Sequence, residues 1–179
     1  CAAAEDGARL SLELIAYAEA GEALELTQQL IAEQLQKIGI EVKLSVIEGA
    51  VLWATTADGG IEPSGNWDMT LWDTGYTGQD PTAFLRDRYH TEAAVPDQGT
   101  NYGRFLNPRF DELLDEAVTL DTERQLEAFC EMARILEEEV PNVSLYSTFN
   151  ADAFSTRLQG PRSNINDMIT WNAADWTLK

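Results

Sequence analysis

The chain has 179 residues, with 31 acidic against 12 basic side chains and a formal charge of −19. That balance leaves no basic surface for phosphates and so argues against nucleic acid, and it disfavours an anionic membrane surface for the same reason. The length can bury a core as one domain, the 44% apolar content is ordinary for a globular protein, and no run of ~20 apolar residues is present to span a membrane.

In chain order, residues 10–17 alternate in the manner of a strand with one buried face. Residues 22–38 follow with helical period: Leu24, Ile31, Leu35 and Ile38 share one side, Leu30 sits at its margin, and Glu25, Gln29, Glu33 and Gln36 face away. Gly39 is placed to take the left-handed conformation of a helix end, and Lys37 suits the negative end of the dipole. Residues 40–47 alternate again, with Ile40, Val42, Leu44 and Val46 expected to face inward. Strand, helix and strand make a βαβ unit, for which parallel pairing through a right-handed crossover is the default.

Residues 59–65, with three glycines and a proline, read as a flexible loop, and 67–71 as the next strand. From Gly75 to Arg104 the pattern is mostly loop, interrupted by a short helix after Pro81. Asn107 and Pro108 are a helix cap and first-turn proline, opening a helix over 108–119 with Phe110, Leu113, Leu114, Ala117 and Val118 as its inner stripe. Asp121 caps a second helix over 122–139, with Leu126, Phe129, Cys130, Ala133 and Leu136 expected inside and Cys130 acting as a small buried hydrophobe. Residues 107–140 carry eleven acids against three arginines, mostly on outer helix faces. Pro141 ends the second helix. Residues 142–154 read as one or two strands, and the tail through Trp171 and Trp176 has no clear period.

Catalytic chemistry finds little support. The single histidine, His90, lacks a patterned partner and reads as solvated, and neither a nucleophile elbow nor a phosphate-binding glycine loop occurs. Zinc would need clustered Cys or His. The acid pairs Asp111/Asp115 and Glu112/Glu116, one helical turn apart, read as an exposed face. No cofactor and no metal site is expected.

The best candidate for function is the stretch from Trp72 to Pro81, where a strand end passes into glycine-relaxed backbone carrying two aromatics and two carboxylates. Trp72, Asp73, Gly75, Tyr76, Thr77, Gln79 and Asp80, with Asn101 from the following loop, form the expected ligand-binding set. Such residues line a cleft, stack on a ligand and accept hydrogen bonds from an amine. Asp80 equally suits a cap for the helix begun at Pro81.

The succession of motifs resembles family 5 extracytoplasmic solute-binding proteins, which serve peptide, oligopeptide and nickel ABC importers. The residues that carry the resemblance are Leu35-Gln36-Lys37-Ile38-Gly39-Ile40-Glu41-Val42, Asn66-Trp67-Asp68-Met69-Thr70-Leu71, Gly75-Tyr76 with Asp80-Pro81-Thr82-Ala83-Phe84-Leu85, Asn101-Tyr102 with Asn107-Pro108-Arg109-Phe110-Asp111, and Asp121-Thr122-Glu123-Arg124 through Val140-Pro141. The resemblance implies an α/β fold: a single lobe of a periplasmic-binding-protein type II-like fold, with a mixed sheet flanked by helices. Residues 1–159 would be the C-terminal ligand-binding lobe and 160–179 a tail returning to the missing N-terminal lobe. It further implies capture of a peptide or small oligomeric ligand between two lobes by hinge closure, delivery to an ABC permease, and a place in the periplasm or on the outer cell surface.

In peptide-binding members a Gly-Trp pair is followed at the third residue by an aspartate that receives the ligand's amine. Here Gly75-Tyr76 stands for that pair and Gln79 for the aspartate, so either Asp80 takes the role or the ligand is one without a free amine, such as a sugar oligomer or a metal chelate. Cys1 would carry the lipid of a mature lipoprotein, but under the resemblance the strand at Leu10 lies deep in the full protein, which makes Cys1 a cut. Two other classes stay open: a small α/β hydrolase or transferase domain using Asp73 and Asp80, and a structural interaction module.

Overall fold

Parallel pairing of the first two strands is the expectation on which the α/β reading rests. The computed structural model, which describes residues 9–75, 80–147, 151–164 and 167–179, contains that pairing. Strand β1 (Ser11–Tyr17) runs beside β2 (Glu41–Ile47), from Ser11 opposite Glu41 to Tyr17 opposite Ile47, and β3 (Met69–Leu71) pairs parallel on its other side. The order β2-β1-β3 puts the first strand in the middle, where Leu14, Ile15 and Ala16 are buried in succession, as a strand covered on both faces requires. Among the described residues antiparallel pairing occurs in a separate ribbon, β4 (Leu158–Gln159) with β5 (Thr177–Leu178), so the two strand directions are divided there between two sheets.

Helix α1 (Glu22–Lys37) crosses from β1 to β2 and ends at Gly39, whose φ of +90° is the left-handed conformation foreseen. Leu24 and Ile31 pack on Leu14, Ala16 and Val42. The fully buried residue between them is Gln28, whose amide donates to the carbonyls of Leu14 at 2.6 Å and Ser45 at 2.8 Å, tying the helix to two neighbouring strands. The inward face expected for residues 40–47 is only half covered. Although α1 lies against β2 as well as β1, Leu44 and Val46 of the edge strand stay exposed, as do Leu30 and Ile38 on the helix.

Residues 59–65 are not a flexible loop. A 3-10 turn at Thr56–Asp58 leads into a short helix α3 (Ile61–Ser64), and α2 (Gly49–Leu52) precedes both. The glycine signal arises from close packing: a Cβ on Gly60 would lie 1.8 Å from the Ala54 carbonyl oxygen.

A second core joins helices α4 (Thr82–Tyr89), α5 (Pro108–Glu116) and α6 (Thr122–Glu139). Phe110, Leu113, Leu114 and Ala117 are buried; each large side chain contributes about 1.5–3 kcal/mol on leaving water. Tyr89, Phe105 and Phe110 meet edge to face, with ring centres 5.5 to 6.0 Å apart. The caps are as expected: Asn107 accepts from the Phe110 amide at 3.0 Å, and Asp121 from those of Glu123 and Arg124.

The inner faces of these helices need correction. Val118 lies beyond the end of α5 and is exposed. On α6 the buried side runs through Ala128 and Met132, with Phe129, Ile135 and Leu136 against it, whereas Leu126 and Cys130 face outward. Both stripes are apolar enough to be buried, and two polar bonds accompany the observed rotation. Gln125 donates to the Ala117 carbonyl at 3.0 Å, and Arg109 makes a two-pronged contact with Glu131 at 2.9 Å. The strands expected in 142–154 are likewise not formed among the described residues of that stretch, where Val143, Leu145 and Tyr146 are exposed and no ladder partner satisfies the backbone.

His90 is not simply solvated. Its Nδ1 accepts from the Glu92 amide at 3.1 Å, and Nε2 lies 3.9 Å from Asp111. The β4-β5 pair joins residues on either side of the 159/160 boundary, and the tail holds Trp176 by a bond to Asn172 at 2.9 Å and leaves Trp171 46% exposed.

Candidate functional site

Because the three strands are parallel, they end together, at Tyr17, Ile47 and Leu71. Open α/β sheets hold ligands beyond this carboxyl edge, where loops leave the strands and carry side chains without ladder duties. The Tyr17 hydroxyl donates to Asp73 Oδ1, and the Tyr17 ring meets Trp53 with centres 5.1 Å apart. The Glu19 carboxylate accepts from the Gly49 amide at 2.9 Å. A side chain at Gly49 would put its Cβ 2.7 Å from the Trp53 ring, so glycine there seats the indole. Tyr17, Glu19, Gly49, Ala50 and Trp53 line an open concavity of about 490 Å³.

The other face of the site lies along β3. Trp72, half-buried, carries the Arg88 guanidinium 4.3 Å from its ring centre, and Arg88 also donates to the Thr74 hydroxyl at 3.2 Å. A smaller, partly open cavity of about 40 Å³ is lined by Glu62, Trp67, Thr70, Trp72, Arg88 and Tyr102, among others. Glu62 is 1% exposed; Trp53 Nε1 donates to its Oε2 at 2.7 Å, and its Oε1 has no hydrogen-bond partner. Burial pushes the Glu62 carboxyl above its ordinary 4.5, while the nearby Thr70 hydroxyl, the Trp53 indole and the Arg88 charge pull it down. Burial and the Glu62 charge likewise raise the Tyr102 phenol above its ordinary 10.0.

The expected ligand set is divided. Trp72, Asp73 and Gly75 stand at the strand edge, Gly75 with open space around it. Tyr76, Thr77 and Gln79 lie outside the described residues. Asp80 closes the turn into α4: its Oδ1 accepts from the amide and hydroxyl of Thr82, which hold its carboxyl below the usual 3.8, and its Oδ2 from Gln125 at 3.5 Å. Asn101 is buried and folds its own loop, donating to the carbonyls of Phe105 and His90 and accepting from the Phe105 amide. Tyr17, Glu19, Trp53 and Glu62 were not anticipated. Tyr17, as the last residue of a strand, carried a legible signal; Trp53 and Glu62 sit in short turns without period.

Among the described residues no group of His, Cys, Asp and Glu is placed to hold a metal ion, and no helix is long and apolar enough to cross a membrane.

No family model matches the chain. It is 30% identical over 135 residues to the peptide transport periplasmic protein SapA of Salmonella typhimurium, covering 75% of this chain and 23% of that protein. It is 25% identical over 147 residues to the oligopeptide-binding protein AppA of Bacillus subtilis, covering 79% and 25%. The structure of AppA from Bacillus subtilis in complex with a nonapeptide superposes with a TM-score of 0.72 at 23% identity, over 98% of this chain and 33% of that one. NikZ from Campylobacter jejuni in complex with Ni(L-His) gives 0.65 at 17% identity, over 97% and 34%. The chain thus spans about a quarter of the length of the curated relatives it matches, and over that stretch it is similar to periplasmic solute-binding proteins, in line with the resemblance to family 5.

Proposed function

We propose that this chain supplies one ligand-binding lobe of a two-lobed receptor that captures a peptide or other small oligomeric ligand for an ABC importer, outside the cytoplasm. Residues 1–159 form the lobe, and residues 160–179 return to the second one. The observation that carries this reading is the carboxyl edge of the parallel sheet, where Tyr17, Glu19, Trp53 and Asp73 meet beside an open concavity and Trp72 lines a second, smaller cavity. Aromatic faces give contact area, and carboxylates give acceptors for backbone amides and amines. Relatives described as a peptide transport protein and an oligopeptide-binding protein support a peptide ligand. The relatives are named as binding proteins, and the candidate carboxylates do not pair for acid-base work: Asp73 is held by Tyr17 and Asp80 by Thr82.

A metal chelate is the second reading, favoured by the likeness to NikZ in complex with Ni(L-His). Thermal shift of the full-length receptor against peptides, oligosaccharides and metal chelates separates the two, since a ligand at 100 times its dissociation constant adds about 2.7 kcal/mol of stability. Trp72→Ala should weaken the peptide that binds by about 1–3 kcal/mol. Unchanged affinity in both Trp72→Ala and Trp53→Ala would place the ligand elsewhere.

A further inference from the structure

Strand β2 is an open edge. In the order β2-β1-β3 no strand of the described residues lies beyond it, and the Glu41 amide donates back toward β1, to the Leu10 carbonyl at 2.9 Å. Backbone groups alternate in direction along a strand, so those of Val42, Leu44 and Val46 turn outward and lack ladder partners among the described residues. The side chains of the same three residues share one face, where Leu44 is 42% and Val46 47% exposed. Val42 and Leu44 line a groove of about 530 Å³ together with Gln29, Ala32, Glu33 and Gln36 of α1.

This edge is its own complement. Read in either direction, residues 42–46 place Val, Leu and Val on the groove face. Two strands related by a two-fold axis run antiparallel, and the register that overlaps all seven residues of β2 puts the axis at Leu44. Leu44 then meets Leu44 of the second copy and Val42 meets Val46, which also pairs the outward backbone groups. On the other face Lys43 meets Ser45 and Glu41 meets Ile47, so no two like charges stand directly opposite. Gln28 ties α1 to both β1 and β2. Two strand spacings of about 4.8 Å therefore set α1 about 10 Å from its copy, the distance at which helices pack. Antiparallel pairing also points the carboxyl ends of the two parallel sheets in opposite directions, which keeps both ligand edges open.

We propose that β2 is a dimerisation edge, to which a second copy of the chain adds its own β2 antiparallel. The product is a six-stranded sheet with the two α1 helices side by side over the joined grooves. Each chain carries a charge of −19, so repulsion opposes the pairing in dilute salt. Screening relieves it, because the Debye length falls from about 10 Å at 0.1 M to about 3 Å at 1 M. A dimer held by apolar contact and backbone bonds thus tightens as salt is added.

Sedimentation equilibrium of the full-length receptor in low and high sodium chloride reads the association. A monomer–dimer equilibrium that tightens with salt is expected. Leu44→Lys sets two cations face to face on the axis and should weaken it roughly tenfold or more, with urea unfolding unchanged because the position is exposed. Leu44→Cys, in a background otherwise free of cysteine, reads the register. Directly opposed residues bring their Cα atoms to about 5.5 Å, within disulfide reach, so oxidation should cross-link this variant. Glu41→Cys in the same background faces Ile47 and should stay uncross-linked. A receptor that is monomeric at millimolar concentration in high salt overturns the proposal, as does a dimer unmoved by Leu44→Lys or equal behaviour of the two cysteine variants. Because the edge lies outside the candidate site, failure here leaves the receptor reading standing.

Discussion

The indole of Trp53 donates to Glu62 across 2.7 Å and thereby joins the two parts of the candidate site, for the Trp53 ring borders the open concavity while Glu62 lines the smaller cavity. Trp53→Phe keeps most of the ring and removes the donor. It should destabilise the fold by about 1–3 kcal/mol, the penalty for a buried acceptor left unmade. Urea unfolding of Trp53→Phe, of Glu62→Met, which removes the acceptor, and of the double variant measures the coupling; strict additivity would show that the bond carries no energy.

Glu62 also predicts a pH dependence. Its folded pKa is raised above 4.5, so between that value and the raised one the folded state holds a proton that the unfolded state has lost, and stability falls as pH rises through the window. Glu62→Gln should remove that loss, making the variant more stable than wild type at neutral pH and little different below pH 4.5. Unfolding midpoints measured across pH check the sign.

Gly60→Ala should disrupt residues 54–65, because its Cβ would sit 1.8 Å from a backbone carbonyl that cannot swing aside. A loss of about 3 kcal/mol or more is expected, at the upper end of overpacking costs. Gly59→Ala is the control: its φ is +83° but the space is open, so only the left-handed strain of about 1–2 kcal/mol applies. Calorimetry of both variants tests the order.

Gln28→Leu exchanges a polar side chain for an apolar one of similar size inside the core. The carbonyls of Leu14 and Ser45 would lose their donor, and stability should fall by about 1–3 kcal/mol despite the gain in hydrophobicity. A neutral or stabilising result would mean that packing, not the two bonds, holds α1 to the sheet.

Gly49→Ala acts on the site more than on the fold. The new methyl would meet the far edge of the Trp53 ring at 2.7 Å, and a side chain can turn away where a backbone cannot. Near-wild-type unfolding with a displaced Trp53 indole signal is the expected result.

Local physics accounts for the elements that were legible in advance. The period of residues 22–38, the left-handed Gly39 and the Asn107-Pro108 and Asp121 caps are properties of neighbours in the chain, and each reappears in the structure, whereas β1 forms where expected but buries Leu14, Ile15 and Ala16 in succession instead of on one face. The Trp72-Asp73-Gly75 strand end was legible for the same reason. Periodicity does not say how far a face is covered or which of two apolar stripes turns inward. On α6 the Met132 side and not the Cys130 side packs into the helical core, with Gln125 and Arg109 bridging the two helices beside it, and on β2 Leu44 and Val46 are left exposed although α1 lies against that strand. Glu62 is the extreme case. Among three glycines and a proline it resembles any solvated loop acid, and it becomes a buried, half-satisfied carboxylate because Gly60 packs against Ala54 and Trp53 turns its indole toward it. Contacts between residues close in the chain are written into spacing and residue type; contacts between distant residues depend on the packing of whole elements, and that is where the site was assembled.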